Sequence, residues 1–423
     1  MEYKPQSSSS SQKITPRIII HGGAGNILPV NLPPAKYKLY HDSLLKILSN
    51  THHFLTSPSS FPLASSSNSI TSALDAVTFA VTQLEDNPLF NSGHGAVFTR
   101  DGINELEVSI MVSKGKKKRG VGLMGLQHVK NPIKLAREML IRGERDLEGE
   151  EDKKRSSGAQ GHSQLHKYSA EKLAKEWGLE IVDEKYFFVQ ARWDEHISGL
   201  EKERKGQGVA SWDAKDFISQ GTCGAVALDA DGVLCVGTST GAPVLELTDS
   251  LRGLLADCLP SLRTYSPVPS QAIDEKASRE LKTFRSAAMS GTGNGDSFLR
   301  VAAVRTASAI ARYRPHTSLQ SAVTEITGPG GELVKSAGDR WKKTGEGEGG
   351  IIGIESKVVV DEVGRTKEAV ADVVYDYNCG GMFRAWVNGE GKAVMRVWRE
   401  GQYDGLEIYE GEGKEYEVAE WVD

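Results

Sequence analysis

The alternation of apolar and polar positions divides the chain into recognisable pieces. Arg17–Ile20 is a short apolar run, read as a strand, that passes straight into His21-Gly22-Gly23-Ala24-Gly25. Across Ser72–Glu85 the apolar residues Leu74, Val77, Phe79, Val81 and Leu84 roughly follow a helical period and predict a helix. Asn91–Phe98 reads as a turn entering a strand, and Glu105–Val112 as a further strand. Residues 131–141 predict an amphipathic helix opened by Asn131-Pro132, where proline is tolerated in the first turn. Tyr168–Trp177 predicts another helix. Ala225–Leu228, the turn Asp229-Ala230-Asp231-Gly232 and Val233–Thr238 predict a hairpin. Ala277–Phe284 and Phe298–Tyr313 are predicted as helices. Residues 351–354, 357–361, 370–377, 383–387 and 393–398 are predicted as consecutive strands. Strands and helices grouped in this way predict an α/β (α+β) protein with helix-covered sheets, rather than strict βαβ alternation.

Between these elements lie segments without a packing period. Residues 1–15 are predicted as a disordered tail, 56–69 as a serine- and proline-rich loop, and 142–161 and 195–220 as flexible charged stretches. The basic run Lys114–Arg119 reads as a solvated hairpin tip. A length of 423 residues allows one large domain or two smaller ones.

Composition excludes some function classes. Hydrophobic residues make up 39% and charged residues 25%, an ordinary globular balance. A net charge of −5 provides no basic field for nucleic acid or an anionic membrane. No apolar stretch approaches the roughly 20 residues needed to span a bilayer. The start lacks the apolar core of a signal peptide, so a cytoplasmic protein is expected. Cys223, Cys235, Cys258 and Cys379 are scattered, with neither zinc-ligand nor disulfide spacing.

The candidate chemistry begins at Gly221-Thr222-Cys223-Gly224. Scission before Thr222 would free an α-amine with a pKa near roughly 8. That amine can serve as base for the residue's own hydroxyl. The bland alternative is a β-branched residue opening a strand. Gly237-Thr238-Ser239-Thr240-Gly241 ends the neighbouring strand, where its hydroxyls could orient Thr222 or simply form a turn. Ser290-Gly291-Thr292-Gly293-Asn294-Gly295-Asp296 precedes a predicted helix, where main-chain N–H groups can hold an anion or an oxyanion. Its GxGxG spacing is not that of a dinucleotide fold. The His21–Gly25 loop lacks the lysine of a phosphate-binding loop. Two glycine-rich loops still leave a nucleotide enzyme open as a reading.

Taken in order, the segments 18–25, 84–98, 221–229, 238–241, 290–296 and 377–384 resemble the plant-type (type 2) L-asparaginase, or isoaspartyl peptidase, family of N-terminal-nucleophile (Ntn) hydrolases. The resemblance implies a four-layer αββα sandwich. It implies autocleavage between Gly221 and Thr222 into an α-subunit of 16–221 and a β-subunit of 222–423 within one domain, and a homodimer of the cleaved unit. By position, Thr222 is the nucleophile, Thr240 supports it, and Thr292 and Gly293 bind the oxyanion. A small amino-acid or dipeptide substrate is implied, with no catalytic cofactor. A structural sodium near Asn91 and Phe98 is implied as well.

The resemblance fails after Thr240. The family carries a GRxGDSP-like run there, whose arginine and aspartate hold the α-carboxylate and α-amine of the substrate. This chain reads Gly241-Ala242-Pro243-Val244-Leu245 instead. Arg252 and Asp257 are the nearest candidates, at the wrong spacing and beside leucines that suggest a helix. Glu107 stands where the family commonly has aspartate. Three readings stay open: an asparaginase or isoaspartyl peptidase, a relative with another amide substrate (glycosylasparaginase or threonine-aspartase type), and an inactive member lacking the clamp.

Overall fold

The computed structural model describes residues 14–57, 71–113, 120–148, 162–205, 221–241, 264–267, 281–314, 316–362 and 365–422. Arg252, Asp257, Lys114–Arg119 and most of the predicted loop and linker residues lie outside them.

The strands are β1 (Arg17–Gly25), β2 (Leu106–Val112), β3 (Gly120–Leu126), β4 (Gln164–His166), β5 (Cys223–Leu228), β6 (Leu234–Gly241), β7 (Thr264–Pro267), β8 (Lys282–Gly293), β9 (Gly349–Val360), β10 (Thr366–Tyr377), β11 (Gly381–Val387), β12 (Lys392–Arg396) and β13 (Glu415–Glu417). Two sheets result, ordered β13-β12-β11-β1-β5-β6-β2-β3-β4 and β10-β9-β8-β7. Only β3 with β4 is a parallel pair among them.

The helices are α1 (Pro34–Thr56), α2 (Ala73–Asp86), α3 (Pro132–Glu148), α4 (Lys167–Glu176), α5 (Gln190–Arg204), α6 (Gly295–Arg300), α7 (Ala303–Tyr313), α8 (Leu319–Thr327) and α9 (Glu332–Ala337). α1 to α4 cover the outer face of the larger sheet, and α7 and α8 cover the smaller one. Three apolar cores fill the spaces between these four layers. One lies under α1 to α3, with Leu44, Val77 and Ile133. One lies under α7 and α8, with Ala307, Val323 and Ile351. The third lies between the sheets, with Ile19, Val226, Ala288 and Ile352. The expected αββα sandwich is therefore present, and its period-2 strands bury residues on both faces.

Local chemistry explains several elements. Ser72 caps α2 by accepting the Asp75 N–H at 3.2 Å. Asp229 Oδ1 accepts the N–H groups of Asp231 and Val233 at 3.0 and 2.9 Å, fixing the β5–β6 turn. Its Oδ2 accepts the Ala73 N–H at 2.9 Å and ties that turn to the start of α2.

Several expectations are corrected. Lys282–Phe284 is not helical but opens β8, because its backbone pairs with Val358–Val360 of β9. Cross-strand partners override a weak local preference. The Met289–Gly293 segment is the end of that strand rather than a loop. The helix expected over 298–313 is divided at Ala302, which has φ 44°. α6 packs on α9 whereas α7 packs on α8, so one straight helix would not meet both partners. The stretch from Glu195 to Arg204, read as flexible, belongs to α5. Arg142–Glu148 completes α3. Ala96–Phe98 forms no strand, and follows a short 3-10 turn at Gly93–Gly95. The two strands expected at 351–361 are one, β9.

Candidate active site

Four chain segments meet at one end of the two sheets: the end of β1, the start of β5, the end of β8 and the start of β9. β5 and β6 pair with Cys223 opposite Ser239 and Gly224 opposite Thr238. One step further, this register sets Thr222 opposite Thr240. Side chains alternate along a strand, so Thr222 and Thr240 project on the face turned towards the smaller sheet, while Cys223 and Ser239 point back towards the helices.

Thr222 is 2% exposed and its Oγ1 makes no hydrogen bond to any described group. A buried hydroxyl without a partner is uncommon and marks a place where chemistry or a ligand is expected. Its main-chain carbonyl accepts a hydrogen bond from Thr292 Oγ1 at 2.9 Å. The same Thr292 oxygen accepts the Ala24 N–H at 3.2 Å. Thr292 thus links β8, β1 and the residue before β5. Gly221 lies in this junction, and a Cβ placed there would stand 2.4 Å from Thr292 Oγ1 and 2.7 Å from Ala24 N. Glycine at this position is a steric requirement. Gly293 has φ 133°, and a Cβ would meet Glu348 O at 2.4 Å.

Two residues along β5 stands a second polar bridge. His21 Nε2 and Ser290 Oγ are 2.7 Å apart and buried, joining the sheets beside Gly224. Burial lowers the His21 pKa to about 3, with the main chain of Thr222 offsetting part of the shift. The imidazole is therefore neutral at physiological pH.

Thr240 Oγ1 donates to its neighbour Gly241 O at 3.1 Å, and Thr240 pairs with Glu107 on β2. The Asn91–Phe98 loop is stitched to the same spot. Asn91 Nδ2 donates to Gly241 O at 3.3 Å, and Asn91 Oδ1 accepts the Val97 N–H at 3.1 Å. From α5, the buried Arg192 donates Nε to Gly95 O at 3.1 Å and Nη2 to Leu89 O at 2.9 Å. Phe98 packs edge-on against Trp193, with ring centres 5.2 Å apart.

On the helix side of β5, burial raises the Glu85 carboxyl to about 8 and the Cys223 thiol to about 12. Glu85 Oε1 accepts the Ile133 N–H at 3.0 Å, while Glu85 Oε2 and Ser92 Oγ have no hydrogen-bond partner among the described residues. Among the described residues no cluster of histidine, cysteine or carboxylate side chains could hold a metal.

The structure thus brings together Gly221, Thr222, Thr292 and Gly293, with Thr240 across the hairpin. Sequence reading did not find the His21–Ser290 bridge, the Ala24 N–H, Glu85 or Arg192. His21 and Ser290 lie in glycine-rich motifs, but their pairing spans 269 positions and leaves no local signal.

Among the described residues no helix is long and apolar enough to cross a membrane. Known proteins place the chain more closely. It is 28% identical over 383 residues to the isoaspartyl peptidase of Escherichia coli, covering 90% of this chain and 96% of that protein. It is 28% identical over 404 residues to a probable isoaspartyl peptidase/L-asparaginase of Arabidopsis thaliana, covering 90% and 98%. It is 28% identical over 303 residues to the isoaspartyl peptidase/L-asparaginase of Rattus norvegicus, covering 72% and 73%. The asparaginase family model matches residues 14–248, more than half of the chain. This protein is a member of the asparaginase family.

Proposed function

We propose that the chain is a self-cleaving threonine amidohydrolase that converts L-asparagine or β-aspartyl peptides to aspartate. The relatives' names support the substrate class. The observation that carries the mechanism is the buried, unpartnered Thr222 hydroxyl beside a glycine that has no room for a side chain.

In the precursor, Thr222 Oγ1 attacks the Gly221 carbonyl carbon and the peptide bond becomes an ester. That rearrangement frees the Thr222 α-amine, and water then hydrolyses the ester, releasing residues 1–221 with a new carboxylate and restoring the Thr222 hydroxyl. That amine, with a pKa near roughly 8, takes the proton from its own hydroxyl as Oγ1 attacks the substrate amide. Thr292 and Gly293 stabilise the tetrahedral oxyanion. Thr240 steadies the nucleophile from the opposite strand. The proton passes to the departing ammonia or amine, and water releases aspartate from the acyl-enzyme.

A sodium ion held by oxygens of the Asn91–Phe98 loop would supply a fixed charge that stiffens the loop behind Gly241. An (αβ)2 assembly and a cytoplasmic location belong to the same reading.

The test is intact-mass analysis of the purified chain beside Thr222→Ala, followed by aspartate release from asparagine and a β-aspartyl dipeptide. Two fragments split before Thr222, absent in the variant, and aspartate release by the cleaved protein are expected. A chain that stays whole and inert sinks the proposal.

A further inference from the structure

A cavity of about 420 Å³ opens at the same end of the sheets. Its size is that of small-molecule sites, roughly 300–1,000 Å³. Asn26, Lys342, Lys343, Glu348, Cys379 and Tyr403 line it. It adjoins the candidate oxyanion residues through two connections. Asn26 directly follows the end of β1, two residues after the Ala24 N–H that bonds Thr292. Glu348 O accepts the Asn294 N–H at 2.8 Å and lies against Gly293.

The charges are arranged asymmetrically. Lys342 and Lys343 are exposed at the rim and have no ion-pair partner among the described residues. Lys342 has φ 61°, a conformation that a residue with a side chain rarely adopts. Such backbone is held in place by its surroundings and clusters at ligand sites. On the inner wall, burial raises the Glu348 carboxyl to about 7, so at neutral pH the wall carries only part of a negative charge. The Cys379 thiol and Tyr403 phenol beside it are raised by burial and stay neutral.

Asparagine releases ammonia and needs no cavity of this size for its leaving group. A β-aspartyl peptide releases an amino acid or peptide that carries a free carboxylate. We infer that this cavity receives the leaving-group portion of a β-aspartyl peptide, with Lys342 and Lys343 taking its carboxylate. The inference rests on the proposed function and narrows its substrate class.

The test compares β-aspartyl-leucine with its C-terminal amide, in the wild-type protein and in Lys342→Gln/Lys343→Gln. Exposed ion pairs are individually weak, so the acid is expected to have a KM about fivefold below that of the amide. In the double variant the two KM values converge. Equal KM values in the wild type, or a preference that survives in the variant, overturn the subsite alone. A protein that hydrolyses neither compound overturns the proposed function and the subsite with it.

Discussion

Thr292 Oγ1 accepts the Ala24 N–H at 3.2 Å and donates to the Thr222 carbonyl at 2.9 Å, so one hydroxyl fastens both sheets to the peptide that follows Thr222. Replacing Thr292 by valine keeps the shape and removes both interactions. If the Thr292 hydroxyl turns its one proton from the Thr222 carbonyl to the oxyanion during turnover, kcat falls by about 10² to 10³. KM for a β-aspartyl dipeptide changes much less. Steady-state kinetics on the cleaved protein check this, and a loss confined to KM would contradict the role.

Gly221→Ala adds a Cβ that would stand 2.4 Å from Thr292 Oγ1 and 2.7 Å from Ala24 N. The Ala24 backbone has little freedom to withdraw. The expected result is slower scission before Thr222, read as a persistent full-length band over a time course. Scission at the wild-type rate would show that the junction relaxes freely.

Glu85 makes stability depend on pH. Its carboxyl is raised from 4.5 to about 8, chiefly by burial, with the Asp86 charge adding and Ser239, the Ile133 N–H and Asn131 opposing. Between those values the folded chain keeps a proton that the unfolded chain has lost. Stability is therefore full below about pH 4.5 as far as this group is concerned, and declines as pH rises to about 8. His21 acts from the acid side. Its pKa falls from 6.5 to about 3, so its contribution is lost as pH drops through that window. Glu85→Gln is expected to flatten the decline of Tm between about pH 4.5 and 8 and to leave in place the His21 loss towards pH 3.

Arg192 contributes its guanidinium to the Leu89 and Gly95 carbonyls and an ion pair to Glu195 at 3.1 Å. Arg192→Met removes the donors and leaves buried carbonyls unpaired, at a cost of about 3 kcal/mol. Thermal unfolding should show this as a lower Tm. An unchanged Tm would mean that water replaces the guanidinium at no cost.

Cys223 adjoins the nucleophile, but its thiol is fully buried and raised to about 12. The thiolate is the reactive form. Alkylation of Cys223 in the folded protein by iodoacetamide is expected to be far slower than in denaturant, read by peptide mass. Rapid labelling of the native chain would show that the site opens.

Much of the frame is written locally. The apolar run at 17–20, the helix at 73–86 and the hairpin at 223–241 each carry their own signals in strand alternation, a serine cap and an aspartate turn. The ordered glycine and threonine motifs also carry the family resemblance in the sequence itself. The start of β8 reads locally as a helix and its end as a loop, because the pairing that makes it a strand comes from β7 and from β9, the latter about seventy residues later in the chain.

The sequence by itself determined which residues could carry the chemistry, since a threonine after glycine can become an N-terminal nucleophile wherever it lies. The tertiary structure decided which groups meet it. Thr292 reaches the Thr222 carbonyl across 70 positions, Ala24 reaches Thr292 across 268, and Ser290 reaches His21 across 269. These contacts form only when two sheets close over a shared apolar core, and residue periodicity records which face is buried but not what will be packed against it.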